Sequence, residues 1–273
     1  MPWFRPRTIL AFDASAVRGA VVGRGLVGAR LRSEAQAALP QGSLVPSAFI
    51  LNVVEIPEVR SALARVLSGL EGKRGPATLV LPDGLARTAL IDVPPGTPPA
   101  EFVRFRLGPS LPYSPVEAIF GHQRIDRQRV LGAAVRRDIV AGYEELARSA
   151  GLEVAGVELA PLAGLSILIR AARTLDLAVG ILVSDTVLSI GIFRRGQLLS
   201  FRPRRRASGD TELQRLHEDV LRSVTACGFS GRPRVFLAGP GAREFLGSDG
   251  WFQLATAKPP LSWERPWLGG LVA

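Results

Sequence analysis

Residues 137–165, RDIVAGYEELARSAGLEVAGVELAPLAGL, decide the fold of this chain. Asp138 can cap a helix that runs through IVAGYEELARSAG, and we expect that helix to end at Gly151. The strand LEVAGVEL follows directly, and Pro161 then begins a second helix, LAGLSILIRAARTL. Helices and strands that alternate in this way predict an α/β fold.

Residues 178–201, AVGILVSDTVLSIGIFRRGQLLSF, predict a second sheet on the C-terminal side. Two apolar runs are followed by a tight turn at Arg194, Arg195 and Gly196 and then by a third run, which is the pattern of a three-strand meander. Beyond it the sequence predicts a helix over 212–225, a strand at RVFLAG, and a tail rich in proline and tryptophan.

The N-terminal side of the chain predicts the first sheet. Three β-rich runs, at 8–13, 17–22 and 29–37, indicate a hairpin or meander, and the segment PEVRSALARVLSGL after them has apolar residues at helical spacing. The runs ATLVLP and RTALIDVPP predict two further strands. The proline-rich break at 94–99 is a candidate subdomain junction.

The composition is that of a globular protein. The 273 residues (29.2 kDa) are 47% hydrophobic and 21% charged, which suffices for one large domain or two modest ones. The most apolar stretch, 154–169, contains Glu158 and Pro161 and is too short and too interrupted for a membrane span. The N-terminus does not have the pattern of a signal sequence, so we expect a cytoplasmic protein.

Metal and thiol chemistry have few candidate residues. Cys227 is the single cysteine and cannot form an internal disulfide, and two histidines, His122 and His217, do not by themselves build a zinc site. The 34 basic and 24 acidic residues give a net charge of +10, which suits an anionic partner. Charge alone does not distinguish nucleic acid, a membrane surface and an acidic protein.

Six arginines fall within a short stretch of the second half: Arg194, Arg195, Arg202, Arg204, Arg205 and Arg206. Such a cluster can contact anionic lipid head groups or an acidic protein, although a solvated loop is the simpler interpretation. Aromatic residues make up 7% of the chain, and too few lie among these arginines to form the stacking surface that single-stranded nucleic acid requires. We therefore expect no nucleic-acid partner.

The segment Gly23–Gly28, GRGLVG, matches the GxGxxG pattern of dinucleotide-binding proteins. That pattern needs a helix after the glycines and an acidic residue about 20 positions further on. Glu34 comes too early and Glu55 too late. A glycine-rich hairpin turn is the simpler interpretation, and an NAD(P)-binding enzyme stays an alternative hypothesis.

Polar residues follow the first strand of each predicted sheet. Asp13 and Ser15 follow the first, and Asp185 follows the corresponding strand of the second meander. An acidic residue there can position hydrated magnesium while backbone amides face a phosphate, but Asp and Ser are also common turn formers. Gly239 and Gly241, after RVFLAG, either bring the backbone close to a ligand or end a strand.

Taken in order, the segments FDASAVRGAVV, ATLVLPDGLARTALIDVP, RDIVAGYEELARSAGLEVAGVELAPLAGL, AVGILVSDTVLSIGIFRRGQLLSFR and RVFLAGPGA resemble the type IV pilus assembly protein PilM family. The resemblance extends from residue 8 to about 242. It implies the actin-like ATPase fold of FtsA and GspL relatives, with two RNase H-like lobes at 1–175 and 176–273. It also implies an inserted subdomain at about 84–137 and a strongly reduced nucleotide-covering subdomain in the second lobe.

The nucleotide site departs from the pattern of that family. The family's first phosphate turn is DxGxxxxK-like, whereas residues 13–18 read DASAVR. The Asp and Gly of its second turn align with Leu182 and Ser184, and the base-covering subdomain is nearly absent between Arg202 and Leu213. The residues left of a vestigial nucleotide cleft are Asp13, Ser15, Asp185, Gly239 and Gly241. We expect little or no ATP binding, no hydrolysis and no cofactor; a functional assembly protein that binds ATP and magnesium is the alternative.

The resemblance also implies a partner. PilM-like proteins lie on the cytoplasmic face of the inner membrane and hold the cytoplasmic N-terminal peptide of PilN between the first lobe and the inserted subdomain. The chain is accordingly expected to be a scaffold of a pilus or secretion machine, in contact with a PilN-like protein, with the ATPase complex of that machine as a further candidate partner. The residues predicted to line the peptide groove are Leu81, Pro82, Phe102, Phe105, Leu111, Pro112 and Tyr113, with subdomain core as the alternative for Phe102 and Phe105.

Overall fold

The structure, a computed structural model, describes residues 6–24, 29–72, 75–206, 212–246, 250–255 and 264–268. These residues form three sheets and five α-helices, joined by turns and loops. The strands are β1 (Arg7–Phe12), β2 (Ala16–Arg24), β3 (Ala29–Ala38), β4 (Ala77–Leu81), β5 (Ala86–Asp92), β6 (Ala118–Arg124), β7 (Arg129–Arg136), β8 (Val154–Leu159), β9 (Ala178–Val183), β10 (Val187–Arg194), β11 (Gln197–Arg205), β12 (Arg234–Ala238) and β13 (Phe252–Leu254). The helices are α1 (Ile56–Gly69), α2 (Pro99–Leu107), α3 (Arg137–Ser149), α4 (Ala160–Ala172) and α5 (Glu212–Ala226).

Two of the sheets have the same topology. The first has the strand order β3-β2-β1-β4-β8 and the second the order β11-β10-β9-β12-β13. In each, the first three strands in sequence form an antiparallel meander, and the last two join it in parallel. The predicted meanders are therefore correct, and the repeated order defines two lobes of one kind. The short strand β13 was not predicted from the tail.

The third sheet, β5-β7-β6, is antiparallel and is inserted between β4 and α3. Helix α2 covers one of its faces, where Val103 packs with Val130 and Ala134 of β7. The alternate residues Ala133 and Val135 face the core of the first lobe instead. The proline-rich segment 94–99 connects β5 to α2 within this unit, so the prediction of a junction there was wrong.

The helices form layers around the sheets. Helix α1 begins with Pro57 in its first turn and buries Val59, Leu63 and Val66 against the first sheet, together with α3. Helix α5 covers the outer face of the second sheet. Helix α4 lies between the lobes, because Ala163 packs with the first sheet and Leu168 packs with the second.

Candidate functional site

The two lobes meet at a small cleft formed by strand ends. The carboxyl ends of β1, β4, β9 and β12 all open into it, the position at which open α/β sheets bind ligands. Asp13, Asp185 and Gly239, predicted from sequence as remnants of a nucleotide site, all line this cleft, whereas Ser15 and Gly241 do not. Its volume is about 60 Å³, whereas typical small-molecule sites hold roughly 300–1,000 Å³.

The Asp13 carboxylate is fully engaged by its own hairpin. Its Oδ1 accepts hydrogen bonds from the backbone N–H of Ser15 (2.9 Å), the Ser15 hydroxyl (2.9 Å) and the N–H of Ala16 (2.8 Å). Its Oδ2 forms an ion pair with Arg18, and both side chains are 16% exposed. The cation that Asp13 holds is therefore the chain's own arginine, and Ser15 acts as a turn residue.

Arg18 lines the cleft, and its guanidinium interacts with carboxylates of both lobes. Burial lowers the pKa of Arg18, and the charges of Asp185 and Glu34 oppose that shift. Asp185 belongs to the turn after β9, on the second lobe, so Arg18 attracts carboxylates from both sides of the cleft. Sequence reasoning did not select Arg18, although its position across the hairpin from Ala11 was available from the predicted meander.

A second carboxyl group, Asp83, forms the floor of the cleft at the end of β4. It is 5% exposed, and its Oδ1 has no hydrogen-bond partner among the described residues. Burial raises the pKa of Asp83 to about 7, and the nearby Ser184 hydroxyl opposes the rise. Sequence reasoning missed Asp83 as well; the signal was a carboxylate directly after the buried strand ATLVLP.

The tail of the described chain closes the cleft. Pro266, Trp267 and Leu268 form a short 3-10 turn, in which Trp267 is 5% exposed and packs against the face of the first sheet that carries Ile9 and Val80. Trp267 also lines the cleft. Since β13 pairs in the second sheet, the chain crosses from one lobe to the other before it reaches Trp267.

The two glycines after β12 are explained by packing between strands. Gly239 has a φ of 115°, and a Cβ atom there would lie 2.1 Å from the carbonyl oxygen of Val183. At Gly241 a Cβ would lie 2.8 Å from a Val183 methyl and 3.0 Å from the Arg206 guanidinium. The space that these glycines leave is thus occupied by the chain itself.

A much larger groove, of about 640 Å³, lies between the first lobe, the third sheet and α4. Its walls include Val157 to Leu159 of β8 and Gly121 to Gln123 of β6. Successive side chains of a strand point to opposite faces, so three consecutive lining residues place the groove at the strand edge rather than over one face. Both strands end their sheets, and among the described residues no further strand pairs with their outer edges.

The groove is largely apolar, and it contains a single acid among its described lining residues. Leu81, Ala133 and Val135 contribute its floor, and α4 contributes Leu162, Leu165 and Ile169. The acid is Glu158, which is half-buried. Burial raises the pKa of Glu158, and the charge of Arg7 opposes this rise.

The residues predicted to line a peptide groove are dispersed. Leu81 lines the groove, whereas Pro82 lines the cleft between the lobes. Phe102, which belongs to α2, and Leu111 pack on the opposite face of the third sheet. Phe105, also on α2, lies beside Phe102 and is 70% exposed. The two that follow, Pro112 and Tyr113, lie in the segment between α2 and β6.

The arginine cluster is mostly paired. Arg195 pairs with Asp176 (2.7 Å), Arg202 and Arg204 both pair with Asp219 (3.6 and 2.7 Å), and Arg206 pairs with Glu244. Arg194 lies over the ring of Phe229, 5.8 Å from its centroid, and Arg205 is exposed. Four of the six arginines therefore form ion pairs, with three carboxylates between them.

The predicted dinucleotide segment connects two antiparallel strands. Residues 25–28 of Gly23–Gly28 lie outside the described residues, but β2 and β3 on either side pair as far as Arg24 with Ala29. A strand follows the glycines where the dinucleotide pattern requires a helix. The hypothesis of an NAD(P) site here was wrong.

Within the described part of the chain, no helix is long and apolar enough to cross a bilayer, and no three His, Cys, Asp or Glu side chains gather at one point. His217, Trp251 and Phe252 form a cluster of three stacked rings, in which the His217 centroid lies 4.8 Å from each of the other two.

Comparison with known proteins identifies the fold. No protein-family model matches the sequence, and no curated protein sequence matches it. The solved PilM–PilN type IV pilus biogenesis complex matches with a TM-score of 0.71 and 19% identity, over 97% of this chain and 94% of that chain. A Bacteroides thetaiotaomicron protein of unknown function with an actin-like ATPase fold matches with a TM-score of 0.64 and 9% identity, over 93% of each chain. This chain has the actin-like ATPase fold, as its resemblance to the PilM family predicts.

Proposed function

We propose that this protein is a non-catalytic, PilM-like scaffold of a type IV pilus or type II secretion-like machine. It would hold the cytoplasmic N-terminal peptide of a PilN-like inner-membrane protein in the groove between β6 and β8. This partner would place it at the inner face of the inner membrane. The likeness in fold to the protein of the PilM–PilN complex supports the proposal.

The observation that carries the proposal is an open groove between two unpaired strand edges. An extended peptide can add to such an edge through its backbone and place alternate side chains in apolar pockets. Gly121 adds room, because a Cβ atom there would meet no other atom within 4 Å. The groove therefore offers the two features that peptide capture needs, and neither requires a catalytic residue.

The cleft between the lobes supports the non-catalytic part of the proposal. A nucleotide triphosphate needs a free carboxylate for its magnesium ion and backbone amides that converge on its phosphates. Here the Asp13 carboxylate already forms an ion pair with Arg18, and the Val183 carbonyl fills the space beside Gly239. We propose that the protein acts without ATP or another cofactor. Because most of the arginine cluster is paired, we do not extend the proposal to a lipid surface.

The test is calorimetric titration with a synthetic peptide that copies the N-terminus of the PilN-like protein encoded in the same genome. Wild type should bind it, and Gly121→Val should weaken binding at least tenfold, about 1.4 kcal/mol, because the new side chain enters the groove. Gly121 is exposed and does not have a positive φ, so the substitution leaves the fold intact.

Gln197→Val is the matched control. Gln197 is also exposed on an edge strand, β11, but belongs to the second lobe. It should bind the peptide as wild type does. Equal binding by wild type and Gly121→Val would place the peptide elsewhere and refute the assignment of the groove.

A further inference from the structure

Glu158 is the one acidic residue among the described residues that line the groove. The side chain is half-buried, and among the described residues it forms neither a hydrogen bond nor an ion pair. The groove also has the basic lining residues His122 and Arg170. The opposing charge that reaches it is that of Arg7. A carboxylate in this position is costly to desolvate further unless a cation accompanies the occupant.

A β-bulge sets the face of β8 on which Glu158 lies. In the pairing of β4 with β8, Ala77 lies opposite Val154 and Thr78 lies opposite Gly156, so one residue of β8 is skipped. Val154 can therefore face the core of the first lobe and Val157 can do so as well, although they are three residues apart. Glu158 consequently points to the other face. Bulges commonly redirect a side chain at a site.

We propose that the groove selects an extended, mainly apolar peptide that carries one cation, a Lys or Arg side chain or a free α-amino group, which pairs with Glu158. This inference rests on the proposed function and specifies the chemistry of the partner. An apolar peptide without a cation would cover the carboxylate and leave it unpaired, whereas a cationic group would form a charge-assisted hydrogen bond. Glu158 would thus reject purely apolar segments as well as attract basic ones.

The experiment is selection from a display library of random octapeptides, with wild type, Glu158→Gln and Glu158→Lys as targets. Only peptides that Gly121→Val fails to bind are scored, which restricts the result to the groove. Wild type should select apolar peptides with one basic residue or a free N-terminus. Glu158→Gln should bind those peptides at least tenfold more weakly and lose the basic preference. Glu158→Lys should select acidic peptides.

Synthesis of the selected peptides with and without an acetylated N-terminus separates the two sources of the cation. Loss of binding on acetylation assigns the α-amino group, and retention assigns the side chain. Urea unfolding of Glu158→Gln controls for folding, and we expect no loss of stability because the change removes a half-buried charge.

The outcomes also separate this inference from the proposed function. If Glu158→Gln selects the same peptides as wild type and binds them equally well, the inference is wrong and the groove remains a peptide site. If wild type selects no peptide that depends on Gly121, both the inference and the proposed function are wrong.

Discussion

The cleft and the groove differ in what fills them. The cleft holds about 60 Å³ and is occupied by the chain's own Arg18 and Trp267, while the groove holds about 640 Å³ and is bordered by two free strand edges. A nucleotide site depends on a few particular side chains and glycines, so a few substitutions remove it. A strand-edge site depends on backbone, which substitutions leave in place. Under the proposed function, the comparison would mean that an actin-like fold can lose its nucleotide and keep a peptide site.

Removal of Trp267 should have the largest effect, because this residue seals the cleft. Trp267→Ala is expected to lower the free energy of unfolding by about 3–5 kcal/mol, the usual range for a buried Trp or Phe truncated to Ala. Urea unfolding measures this change. The loss should be accompanied by greater exposure of the cleft between the lobes.

Trp251→Ala is the control for the loss of an indole. Trp251 packs within the second lobe, beside Phe252 and His217, and does not line the cleft. Its substitution should leave the exposure of the cleft between the lobes unchanged. A loss of less than about 1 kcal/mol in Trp267→Ala would contradict the view that the tail seals the cleft.

The buried Asp83 should make stability depend on pH. Its pKa is about 7 in the folded protein, against roughly 3.9 in an unfolded chain, so between these values the folded state keeps a proton that the unfolded state has released. Stability should therefore fall as the pH rises from about 4 to about 7, by on the order of 4 kcal/mol at most, and then level off.

Asp83→Asn removes this titration and provides the reference. The stability of wild type relative to the variant, measured by urea unfolding at a series of pH values, should decline over that interval. A constant difference from pH 4 to pH 8 would show that Asp83 ionises normally and has access to water.

Local patterns were sufficient to predict the lobes. The meanders at 8–37 and 178–201 follow from short apolar runs and from turns such as Arg194 to Gly196, which form between near neighbours. Strand β13 was missed because three residues carry no periodic signal, and their pairing with β12 is a contact between distant segments.

The sites were less predictable because they depend on which face each element presents. Phe102 and Phe105 are apolar, as the lining of a peptide groove would be, but the helix that carries them, α2, packs on the other face of the third sheet. Glu158 lies on its face of β8 because of a one-residue bulge that the sequence does not reveal. Trp267 reaches the cleft only through the packing of the tail on the first lobe.

The smallest expected effect is that of ATP. A ligand present at about 100 times its dissociation constant adds about 2.7 kcal/mol of stability, so thermal unfolding detects even modest binding. We expect millimolar ATP with magnesium to leave the melting temperature of wild type unchanged. Arg18→Ala should not create binding, because it frees Asp13 but leaves Trp267 and the Val183 carbonyl in place.

Asp13→Ala turns this negative result into a decisive one. If magnesium-dependent stabilisation were seen in wild type and lost in Asp13→Ala, the carboxylate would be holding a metal–nucleotide complex instead of Arg18, and the ATP-binding alternative would replace the scaffold. If neither variant nor wild type responds, Asp13 serves the hairpin, where three donors and one arginine already surround it. The cleft would then be a structural contact between the lobes, and recognition of partners would belong to the groove alone.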